Sequence, residues 1–238
     1  MLSYKPWRLE AVVQLIAGIF ACWCLGMVVI GVFQQIGVAA FRSPDSFASV
    51  LVATMSFQGA AWVLIFFFIK LHGMDWRSVF GLRNANLPRA LLLGIGLLVV
   101  AWPVVEGLKL LSMVALDKIG WHPAEQRAVD LLVAAKSPWM QGYLAFFAVV
   151  LAPVAEEFIF RGVLFPFVRQ LGWPRLAWLG TSFLFALIHL NAPTFVPLFV
   201  LALVLTWIYD HTDCLLASIM VHSLFNASNL VILFLQSR

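Results

Sequence analysis

The chain has 238 residues, of which 63% are hydrophobic and only 11% charged, and its mean hydropathy is +0.98. Soluble domains average about 45–50% apolar and about 25% charged residues, so this is the composition of an integral membrane protein. The net charge of +4 comes from basic residues that stand singly between apolar runs and form no patch, which excludes a nucleic-acid partner.

Several apolar runs reach the roughly 20 residues needed to cross about 30 Å of hydrocarbon. The first, 9–38, is too long for the apolar part of a cleavable signal and is expected to stay in the mature chain. It carries Cys22 and Cys24, whose spacing points them to nearly opposite faces of a helix; with Cys214 they make neither a disulfide framework nor a zinc site. Further membrane helices are predicted over 47–69 and 90–116, then, after a polar connection at 117–138 that holds Asp117, Glu125 and Asp130, over 139–167. The next two, 176–190 and 195–209, are short, so either could thin the bilayer or form a hairpin that does not fully cross. The last is predicted over 215–235. The expected fold is all-α, a polytopic membrane helix bundle of about seven transmembrane helices in a single membrane-embedded domain, 1–238, without internal repeats.

With seven crossings, the side of the N-terminus holds Lys5, Arg8, Lys70, Arg77, Arg83, Arg89, Arg169 and Arg175, against Arg42, Lys118, Arg127, Lys136 and Arg238 on the other. That asymmetry predicts a cytoplasmic N-terminus; the expected location is a bacterial plasma membrane.

Within the fourth helix, "PVAEEFIFRGVLF" puts two carboxylates and an arginine where each central charge costs about 2.5–3.5 kcal/mol. Glu157 and Arg161 are i,i+4 with the acid first, the favourable order for a helical ion pair, and this assigns them structural support. Glu156, about 100° around the helix, lacks that partner. Pro153, one turn earlier, is expected to kink the helix and turn polar groups toward a hydrated cavity. His189 and His222 lie inside apolar helices, whereas His72, His122 and His211 fall in loops. If helices four and five form a hairpin turning at Gly172 and Trp173, Glu156 and His189 sit at similar depth. Ser182, Phe185 and His189 share one helix face, and Ser218, His222, Asn226 and Asn229 form a polar stripe on the last helix. A buried ionic knot, or interhelical hydrogen bonds worth about 0.6 kcal/mol each, would account for these residues without any chemistry.

In chain order, "EEFIFR" as EExxxR, "FALIH" as FxxxH and "HSLFN" as HxxxN resemble the signature of the CPBP intramembrane protease family. That family includes type II CAAX prenyl endopeptidases and bacterial bacteriocin-processing or self-immunity proteins. The resemblance covers 139–229 as a catalytic core and leaves 1–116 as accessory helices; it departs from the pattern at Ala186, Ala202 and Thr206, where glycines are expected. It implies that Glu156 activates a water, that His189 helps to orient or deprotonate it, and that His222 and Asn226 stabilise the oxyanion on the scissile carbonyl. Glu156, His189 and His222 also suit zinc with an open position for water, so the cofactor stays open between zinc and none. The implied substrate is a membrane-associated or lipidated peptide or protein entering from the bilayer or the cytoplasmic side, with membrane lipids as the surrounding partner. H-E-x-x-H and G-x-S-x-G are absent. A non-catalytic scaffold or chaperone retaining the fold is the alternative; a transporter finds no support without inverted repeats or paired broken helices.

Overall fold

The computed structural model describes residues 2–83, 86–121, 127–135 and 137–236. His122, Glu125, Lys136 and Arg238, named above, lie outside the described residues. Among the described residues, six long helices and one shorter one, α5, follow one another: α1 Leu9–Gln35, α2 Phe47–Leu71, α3 Leu87–Lys118, α4 Pro138–Gln170, α5 Pro174–Leu187, α6 Ala192–Thr212 and α7 Leu215–Gln236. All but α5 are long and apolar enough to cross a membrane, so the protein is an all-α, multi-pass membrane bundle. Of the two helices expected to be short, α5 is short, with 14 residues, but α6 reaches 21. It outruns the expected span by three residues at each end; at its start the Asn191 side chain accepts a hydrogen bond from the Thr194 amide and caps the helix. The 117–138 connection is not wholly irregular: it contains a short helix, Arg127–Ala134.

The helices fall into two compact units. One comprises Pro6–Asp75 with Ala135–Gln141 and is built on α1 and α2. Lipid is as apolar as leucine, so helices associate by close packing of small residues rather than by escape from water. Gly26 leaves no room for a Cβ beside Ser56, and at Gly18 a Cβ would lie 3.1 Å from Leu64. His72, expected in a solvated loop, instead caps α2: its Nδ1 lies 2.8 Å from the Phe68 carbonyl, and its Nε2 accepts from the Arg8 amide at 3.2 Å.

The other unit comprises Met1–Lys5, Trp76–Ala134 and Gly142–Arg238, and holds α3, most of α4, and α5 to α7. Its core joins Ala90 and Val105 of α3 to Leu201, Leu205 and Ile208 of α6 and to Ala217, Val221 and Phe225 of α7. Gly94 lets α3 pack close against α7, since a Cβ there would lie 2.9 Å from Val221. At one end of this unit the Lys5 ammonium is buried and bonds Asp213 at 2.9 Å, and Arg169 pairs with Asp210. Cys214 is buried beside Asp213, and burial pushes its thiol pKa up, in keeping with an inert cysteine.

The fourth helix changes its winding twice. Phe147–Leu151 and Phe158–Leu164 are π-helical, and each is followed within two residues by a proline, Pro153 or Pro166. A proline has no N–H and its ring crowds the carbonyl four residues back, here Val149 and Gly162; a wider turn relieves that crowding.

Candidate active site

The central α-helical stretch of α4, Ala152–Glu157, carries both acids. Glu157 is fully buried, and its Oε1 receives two donors: Arg161 Nη1 at 2.7 Å, within the helix, and His222 Nδ1 at 2.8 Å, from α7. An ionised carboxylate only accepts, so Nδ1 of His222 carries the proton and Nε2 is left to face outward. Nε2 lies 3.9 Å from Oε2 of Glu156, beyond a direct hydrogen bond but close enough for one water to touch both atoms. The Glu156 side chain is 17% exposed, against 0% for Glu157, so Glu156 stands at the open edge of the cluster.

Arg161 is held on every side. Its Nε donates to the Thr206 hydroxyl at 3.3 Å, its Nη2 to the Ala202 carbonyl at 3.0 Å, and its guanidinium lies 4.6 Å from the centre of the Phe185 ring. Ser182 adds a hydroxyl contact to Thr206 at 3.4 Å. Two of the three positions that depart from the glycine pattern thus serve the arginine, Thr206 through its side chain and Ala202 through its backbone.

Asn226, one turn beyond His222, donates to the Ala148 carbonyl at 2.9 Å. In a π turn that carbonyl would look five residues ahead for an N–H and meet Pro153, which has none. The winding of α4 leaves an acceptor at the place where α7 presents its amide.

His189 is not within a helix. α5 ends at Leu187, and Leu190 takes a left-handed conformation at φ 48° just before the Asn191 cap, so His189 sits in the turn between α5 and α6. Its Nδ1 lies 2.7 Å from the Phe185 carbonyl, which leaves Nε2 open. The Phe185 ring lies 5.0 Å from His189 and 5.7 Å from His222, centre to centre, and so stands against both imidazoles. The structure therefore sets Glu156 beside His222, and His189 against the ring that His222 also touches. Among the described residues no three of His, Cys, Asp and Glu gather closely enough to share a metal ion, so Glu156, His189 and His222 do not assemble a zinc set in this arrangement.

Missing from the sequence reading are the bond from Glu157 to His222 and the grip of Thr206 on Arg161, which span 65 and 45 positions. The paired acids were the available signal: two carboxylates about 100° apart face two different neighbours.

Fold and site together define an integral multi-pass membrane protein with a buried acid–imidazole cluster between its C-terminal helices. Residues 138–228 match the family described as Type II CAAX prenyl endopeptidase Rce1-like, which is what this stretch of the chain is similar to. The chain is also similar to UPF0177 protein YxdF of Lactococcus lactis subsp. lactis (strain IL1403), with 31% identity over 78 residues, 32% of this chain and 42% of that protein. The chain therefore spans less than half the length of the curated relative it matches. No solved structure matches it.

Proposed function

We propose that this protein is an intramembrane endopeptidase that hydrolyses peptide bonds of membrane-associated or lipidated peptides. The observation that carries the reading is the pairing of Glu156 Oε2 with His222 Nε2 across 3.9 Å, at the edge of an otherwise buried ionic cluster. A water between them can lose a proton to Glu156 while its oxygen attacks the scissile carbonyl carbon. The carbonyl electrons move onto oxygen, and an imidazolium at His222 is placed to donate Nε2–H to that oxyanion. Collapse breaks the C–N bond, and Glu156 returns its proton to the leaving amine. Glu157 holds His222 in the required orientation through Nδ1, and Arg161 holds Glu157. Asn226 serves as a second donor near the oxyanion, and His189, with its Nε2 open, orients the water or the substrate backbone. The family of residues 138–228 supports the same reaction class. The protein resides in the bacterial plasma membrane with its N-terminus in the cytoplasm, and substrate enters from the bilayer or the cytoplasmic side.

Replacing Glu156 by Gln tests this reading. The amide keeps the shape but cannot accept the proton, so cleavage of a membrane-tethered reporter peptide should fall about 10²–10⁴-fold while the protein unfolds at an unchanged or higher temperature. A non-catalytic scaffold predicts the reverse, and full complementation of a deletion by Glu156→Gln refutes the enzyme.

A further inference from the structure

Away from the acid–imidazole cluster, the first turns of α3 and the last turn of α6 enclose a cleft of about 270 Å³ lined by Asn86, Arg89, Ala90, Leu93, His211 and Thr212. Gly94 packs against Val221, next to His222, and Thr206 holds Arg161, so these two residues mark the level of the cluster on α3 and α6. Arg89 and His211 each lie five residues from that level toward the helix ends, about 7.5 Å along the axis. Arg89 stands in the first turn of α3 and His211 in the last turn of α6, so the cleft lies at the ends of two helices long and apolar enough to cross a membrane.

Arg89 is exposed and has no carboxylate partner among the described residues. The neighbouring acids are engaged elsewhere, Asp210 with Arg169 and Asp213 with Lys5. His211 is no solvated loop residue: it belongs to the last turn of α6, its Nδ1 lies 2.9 Å from the Trp207 carbonyl, and its ring stacks on Trp207 at 4.0 Å. Its Nε2 is left without a partner among the described residues. An indole at this level is typical of the headgroup layer. One turn deeper than Arg89, Leu93 is 39% exposed and continues the wall as an apolar surface.

We propose that this cleft binds the phosphate of an anionic lipid, with Arg89 and His211 Nε2 on the phosphate oxygens and an acyl chain along Leu93. A guanidinium donates two parallel hydrogen bonds to phosphate, and a basic pocket between membrane helices is suited to an anionic headgroup. A free phosphate would use the same two groups but leave Leu93 uncovered, and this favours the lipid.

The test uses the full chain in vesicles of phosphatidylcholine, with or without phosphatidylglycerol, followed by native mass spectrometry of the lipid retained. Wild type should retain phosphatidylglycerol over phosphatidylcholine, and Arg89→Gln should lower that preference about fivefold, the weight of one basic residue near the surface. Arg175→Gln, an equal charge loss at the start of α5, should leave the preference unchanged; an equal drop in both variants shows general surface attraction and overturns the site. Inorganic phosphate added to protein in phosphatidylcholine alone should not raise the unfolding temperature. If it does so as phosphatidylglycerol does, and only with Arg89 present, the ligand is a free anion and the lipid assignment fails.

Discussion

Glu157 Oε1 is a shared oxygen: Arg161 approaches it at 2.7 Å from one helical turn away and His222 at 2.8 Å from another helix, while Oε2 of the same carboxylate is buried with no hydrogen-bond partner among the described residues. A single atom therefore joins the support of α4 to the orientation of the imidazole. The i,i+4 spacing announces only the bond to Arg161.

Glu157→Gln should affect stability and cleavage together. The amide oxygen can still accept from one donor, but the negative charge facing a buried guanidinium is gone, and breaking a buried pair costs about 3–5 kcal/mol. The expected outcome is a clearly lower unfolding temperature in detergent with cleavage reduced, in contrast to Glu156→Gln. Matching behaviour of the two variants would mean that the acids share one role.

Arg161→Lys should fail to rescue. The guanidinium reaches Glu157, the Ala202 carbonyl and the Thr206 hydroxyl with three different nitrogens, and an ammonium cannot reproduce that planar fork. Thermal unfolding of Arg161→Lys and Arg161→Ala, side by side, checks this: both should fall, Lys by less. A Lys variant as stable as wild type would show that charge alone is needed.

Gly94→Leu should separate α3 from α7. Even a Cβ would come within 2.9 Å of Val221 and 3.3 Å of Met220, one and two residues before His222. Overpacking costs about 1–3 kcal/mol, and the displacement falls where the imidazole is aimed, so cleavage should drop more than stability does. Full activity would show that the cluster does not depend on the closeness of these helices.

Phe185→Leu should distinguish the two histidines. The ring packs on both imidazoles and beneath Arg161, and its backbone carbonyl, which the substitution leaves in place, still bonds His189. His222 also keeps its bond to Glu157. Stability should fall by about 1 kcal/mol for the lost aromatic contacts, and cleavage should fall further if the placement of His189 depends on the ring; activity lost only in proportion to stability would confine Phe185 to packing.

Much of this was legible in the chain. Uninterrupted apolar runs announce the helices, because lipid leaves the backbone no other way to satisfy its hydrogen bonds within the membrane, and the Glu157–Arg161 bond follows from i,i+4 spacing alone. What was not legible depends on tertiary contact or on local winding. A hairpin turning at Gly172 and Trp173 predicts His189 in a helix at the depth of Glu156, but α5 ends at Leu187 and His189 falls in the turn that leads through Leu190 to the Asn191 cap. Arg89 reads as a topology signal and His211 as a loop residue, and no local pattern announces that the two line one cleft. Pro153 did mark an irregular place, though the outcome is a change of helical pitch and an exposed acceptor at Ala148 rather than polar groups turned toward a cavity.

The two wide turns of α4 also behave as insertions that the helix has absorbed. Each holds about one residue more than an α-helix of the same length, so removing a single residue from Phe147–Leu151 would close the wide turn to an α-turn and leave what lies beyond it facing as before. A one-residue gap at this place in an otherwise similar chain is therefore compatible with Glu156, Glu157 and Arg161 still facing α7, whereas a gap in the α-helical turn that follows would rotate the residues beyond it by about 100°.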